Sequence, residues 1–166
     1  MQEAVNSLKD AYNKYNWKVV SPTWTATKLG RPYTLFPKIH MTEEADLNTS
    51  MEWCCNELVH EITHIYQQKS RWNLPFWLVK YFGSKTFRAC MEGEAFGAEY
   101  KRALWKGFTI DWAKVKKSLM EGYYGAFTEE LADTFIESLK QETFDTIDWE
   151  TVCKEAHERK KRSDGR

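Results

Sequence analysis

The sequence predicts an α+β fold: a small antiparallel sheet of about three strands, followed by a mostly helical remainder. Three observations predict it. Residues 17–41 are rich in β-branched and aromatic residues, in short runs broken by turn signals. From Thr42 onward, apolar residues recur at helical spacing. The 166 residues are 42% hydrophobic and 15% aromatic, enough to fill the core of one domain over 1–162, with 163–166 as a tail.

Within the amino-terminal part, 1–41, Val5, Leu8, Ala11, Tyr12 and Tyr15 share one helical face, so a first helix is expected over 3–15. The strands are expected in "WKVVS", "TWTATKL" and "YTLFPKIHM", separated by Ser21-Pro22 and Gly30-Arg31-Pro32. Pro37 cannot donate to a ladder, so the third run is expected as an edge strand. Thr42, followed by acids, is a helix cap signal. Helices are expected near 45–70, 75–82, 84–105, 111–121, 128–142 and 148–162, with breaks at Gly107, Gly122 and Gly125. The tail "ERKKRSDGR" is expected to be solvated and frayed.

Charge and cysteine usage narrow the function classes. Lys plus Arg (24) equals Asp plus Glu (24), which gives no electrostatic case for nucleic acid or a membrane surface as partner. No apolar run approaches a signal-peptide core or a membrane span, so a cytoplasmic protein is expected. Cys54, Cys55, Cys90 and Cys153 lack paired-ligand spacing and are expected to stay reduced.

The stretch "NELVHEITHIYQQ", residues 56–68, carries the chemistry. On a helical wheel with His60 at zero, His64 falls at about 40° and Glu61 at about 100°. Met51, Cys54, Leu58, Ile62 and Ile65 cluster on the opposite side, flanked by Cys55, Val59 and Tyr66. The core stripe therefore exists without the histidines. His-Glu-x-x-His is the zinc-peptidase pattern: both imidazoles ligate the metal, and the glutamate serves as general base toward water. Glu61 is thus the candidate base, with His60 and His64 as candidate Zn2+ ligands.

A catalytic zinc wants a third protein ligand. "RACMEGEAFGAEYKRAL", residues 88–104, reads as an amphipathic helix with small residues for close packing, and its acids are Glu92, Glu94 and Glu99. With this second helix the sequence resembles the glutamate-type zincins, the thermolysin-like peptidases. It is also similar to small stand-alone zincin domains of bacteria and phages. The resemblance covers about residues 33–104. It implies a zincin core, with "EGEA" placing Glu92 as the third ligand and Ala95 in the small position. Glu94 is the rival; it faces about 160° away from Glu92, so both cannot ligate. Glu99 is expected on a solvated face. Many zincins place Asp or Asn four residues after the ligand to orient a histidine, and here that position is Phe96. The resemblance also implies that "YTLFPKIHM" lines the cleft and pairs with an extended peptide.

Other signals are weaker. Tyr123, Tyr124, His157 and Arg88 are candidate oxyanion donors, although packing is the stronger reading for each. "RWNLPFWLVKYF" is a hydrophobic wall, an interaction patch or plain core, and His40 is structural or cleft-lining. Asp111, Asp133 and Asp145 have no metal-like spacing. The expected function is zinc-dependent hydrolysis of a peptide or protein substrate. The alternative is a non-catalytic zincin-fold module for binding or assembly, for example a phage structural or regulatory protein.

Overall fold

The computed structural model describes residues 18–20, 33–40, 51–71 and 73–164. The expected helix over 3–15, the run "TWTATKL", the Thr42 cap and residues 45–50 lie outside them. The chain divides into two compact units, Met1–Leu74 and Pro75–Arg166.

In the first unit, β2 (Tyr33–Leu35) and β3 (Lys38–His40) pair antiparallel, with Thr34 opposite Ile39. The run "YTLFPKIHM" is therefore a hairpin turning at Phe36-Pro37, where a single edge strand was expected. Proline's missing donor is harmless in a turn, which is why it does not end the pairing. Strand β1 (Lys18–Val20) lies on the other side of β3 in parallel register, so the sheet is mixed where an antiparallel one was expected. Helix α1 (Met51–Tyr66) follows and passes into a π-helical turn over Gln67–Arg71. Ile65 and Ile39 are fully buried, with Phe36, Leu58 and Ile62 packed against them. Leu58, Ile62 and Ile65 of the apolar stripe thus seat α1 on the hairpin.

The second unit is helical: α2 (Leu74–Gly83), α3 (Lys85–Trp105), α4 (Trp112–Gly122), α5 (Glu129–Lys140) and α6 (Trp149–Asp164), with a short 3-10 turn at Phe144–Thr146. Their starts are legible in the caps. Ser84 Oγ accepts from Phe87 N (3.2 Å), Asp111 Oδ1 from Lys114 N (3.1 Å) and Thr128 Oγ1 from Leu131 N (3.2 Å). At the end of α3, Phe108 N bonds Ala103 O and Gly107 N bonds Leu104 O, with Gly107 at φ 78°. That is the Schellman arrangement, which needs a residue comfortable in the left-handed region. The final helix runs to Asp164, two residues past the expected end, with its last turns exposed.

Helix α3 is buried on most of its surface and packs against α5 and α6. Gly97 permits this, because a β-carbon there would overlap the Phe144 ring. Phe127, Phe135, Phe144 and Trp149 stack around it edge to face and tilted, with Phe135 wholly buried. The aromatic run 71–82 is mixed in fate. Trp77 is buried and stacks on Tyr81, whereas Val79 and Phe82 are exposed. None of the described helices is long and apolar enough to cross a membrane.

Candidate metal centre

The histidines sit one turn apart on α1, and helical geometry brings them together. His60 Nε2 and His64 Nε2 are 3.1 Å apart, and the rings meet edge to face at 4.8 Å. Two nitrogens on one tetrahedral zinc, each about 2.0–2.1 Å from the metal, stand roughly 3.3 Å apart. The observed spacing is close to that distance. Both rings are buried, so their nitrogens face a medium in which an unmatched polar atom is costly.

The tautomer of His64 follows from its neighbour. His64 Nδ1 lies 2.9 Å from Gln67 Oε1, an oxygen that only accepts, so Nδ1 carries the proton. That leaves the Nε2 lone pair aimed at His60. Gln67 is buried and stands at the start of the π-helical turn. It thus holds the His64 ring by Nδ1 and leaves Nε2 on the His60 side. Sequence reasoning passed over Gln67; its signal was a glutamine three residues after His64, on the same helical face.

Glu61 is buried and faces the hairpin. The Thr34 hydroxyl donates to Glu61 Oε2 at 2.6 Å and lies 3.2 Å from the Glu61 carbonyl oxygen. Gln68, next to Gln67, reaches the same strand. Its Oε1 accepts from Phe36 N (2.8 Å) and its Nε2 donates to Thr34 O (3.2 Å). The hairpin is thereby fixed to the histidine helix through both a side chain and its backbone. Its outward polar groups at Thr34 and Phe36, where an extended peptide was expected to pair, are already bonded.

In the second unit, α3 separates the rival acids. Glu92 is buried and accepts a hydrogen bond at Oε1 from the Tyr81 hydroxyl of α2. Glu94 is half-buried, with Oε1 4.0 Å from the Cys90 sulfur. The two carboxylates lie on different faces, as the wheel requires. Glu99 is buried too, not solvated as expected. Seven residues from Glu92, it shares that residue's face. Burial, then its charge, raises the neighbouring Tyr100 hydroxyl well above the usual range.

The other candidates have packing or linking roles. Tyr123 packs edge to face on Phe96, and Tyr124 is exposed beside Arg88. Arg88 donates from Nη1 to Tyr81 O (2.6 Å) and from Nε to Tyr123 O (3.1 Å). His157 donates from Nδ1 to Cys153 O at 2.7 Å. His40 stacks on Tyr33 at 4.5 Å, and burial, then Lys38, lowers its pKa. Cys90 and Cys153 are buried free thiols, and contact between them, then burial, pushes the Cys153 thiol up. Asp111 is a cap, while Asp133 and Asp145 pair with Lys116 and Lys101.

Comparison with protein-family models, curated proteins and solved structures finds no match to this chain.

Proposed function

We propose that the protein is a zinc-dependent metallopeptidase with a zincin core, in which His60, His64 and Glu92 hold the metal and Glu61 is the general base. The observation that carries the reading is the 3.1 Å convergence of two Nε2 atoms, with Gln67 fixing the His64 tautomer. The donor chemistry fits: two buried imidazoles and a buried carboxylate are the donor types a catalytic zinc takes. The chemistry of Glu94, turned toward a thiol, fits less well, and Glu92 takes the ligand role.

Zinc bound there supplies Lewis acidity that polarises a scissile carbonyl. The chain supplies the proton handling. Glu61 takes a proton from the attacking water and returns it to the leaving amine. Thr34 holds Oε2, which orients the carboxylate and leaves Oε1 as the accepting atom. Gln67 keeps the proton on His64 Nδ1, so Nε2 stays a donor of its lone pair. Burial of Glu61 excludes bulk water and strengthens each of these interactions.

One observation favours the non-catalytic module instead. Gln68 already satisfies the hairpin groups that a peptide would pair with. The two readings part at Glu61. Purified protein is expected to carry close to one zinc, and Glu61→Gln to keep that zinc while losing peptide hydrolysis by a factor on the order of 10²–10⁴. Zinc-free wild-type protein, or a variant that cuts a peptide library as fast as wild type, would remove the peptidase.

A further inference from the structure

We infer that Tyr81 is the positioning residue of Glu92: its hydroxyl holds one carboxylate oxygen so that the other is presented to the metal. This rests on the metallopeptidase reading above and deepens its third ligand.

Tyr81 is itself fixed on several sides. Its ring stacks on Trp77 at 4.5 Å between centroids, with an interplanar angle of 16°. The Arg88 guanidinium lies over the ring, 5.8 Å from its centroid. Arg88 Nη1 also donates to the Tyr81 carbonyl at 2.6 Å, tying the end of α2 to the first turn of α3. The phenol is therefore placed by packing and by backbone, and its hydroxyl reaches Glu92 Oε1. A phenol aimed by its own clamps orients the group it touches more firmly than a flexible side chain can.

The choice of donor matters. Arg88 stands four residues before Glu92, one turn away, where a guanidinium commonly forks onto a carboxylate. Instead, Arg88 bonds the carbonyls of Tyr81 and Tyr123 and lies beside the aromatic rings of Tyr81 and Tyr124. Glu92 Oε1 accepts from the Tyr81 hydroxyl, a neutral donor. A cation there would compete with the metal for the carboxylate's charge. A phenol fixes the geometry through one hydrogen bond and brings no charge of its own.

Tyr81→Phe removes the hydroxyl and keeps the ring stacking. The expected result is zinc affinity weakened by about 10–100-fold in chelator competition, with far-UV circular dichroism unchanged. The Co2+-loaded variant is expected to show a shifted visible absorption, because ligand geometry has changed. In a Glu92→Gln background the same change is expected to have no further effect on affinity. Unchanged affinity and Co2+ spectrum in Tyr81→Phe, with wild type binding zinc tightly, would overturn Tyr81 and leave the peptidase standing. Wild type that binds neither metal would overturn both.

Discussion

The two units fill their described interiors with different materials. Around the histidines, Asn56, His60, Glu61, His64, Gln67 and Gln68 are all buried, against the fully buried apolar pair Ile39 and Ile65. In Pro75–Arg166 the buried set is dominated by rings and aliphatic chains, among them Phe127, Leu131, Phe135, Phe144 and Trp149. Buried polar atoms contribute only when each has its partner, and a missing partner costs about 1–3 kcal/mol. Apolar packing is tolerant of detail and large in sum. The first unit is therefore organised by specific bonds, and the second by burial.

That contrast can be broken from either side. The largest effect is expected in the ring cluster. Phe135→Ala removes a wholly buried ring contacting Phe127, Phe144 and Trp149, and should cost about 3–5 kcal/mol in urea unfolding while zinc stoichiometry stays the same. A loss of zinc without a loss of stability would reverse the assignment of roles. Next comes Gln67→Ala, which removes the partner of His64 Nδ1. It should weaken zinc binding by about 10–100-fold, roughly 1.4–2.8 kcal/mol, and the check is competition with a chelator. An unaltered dissociation constant would mean the bond is incidental. The smallest is Thr128→Ala, which deletes the cap of α5. A shift of about 1 kcal/mol in the urea midpoint, with metal affinity untouched, is expected.

Much of the helical half was legible before any coordinates, because helix starts and stops are local. Ser84, Asp111, Thr128 and Gly107 each act through bonds within five residues of themselves. The His60–His64 convergence was legible for the same reason, since a helix fixes the i,i+4 relation. The hairpin was misread because one proline can mark either an edge or a turn, and the difference depends on what pairs across it. Gln67, Gln68, Thr34 and Tyr81 were missed on other grounds. Thr34 and Gln68 meet across more than thirty positions, and Glu61 joins them from a different element. Tyr81 meets Glu92 from a different helix, across the break at Ser84. Glu99 was placed in solvent by its charge alone, although its spacing from Glu92 already put it on the buried face.

The Gln68 amide has an effect beyond holding the hairpin down. A strand that shows bare amide and carbonyl groups invites a foreign chain to zip onto it, which is how sheets seed aggregates. By filling the rung between Thr34 and Phe36 with its own side chain, the molecule offers a passing segment no template at that point. A five-atom stub does the work that other proteins give to a covering helix or a charged rim.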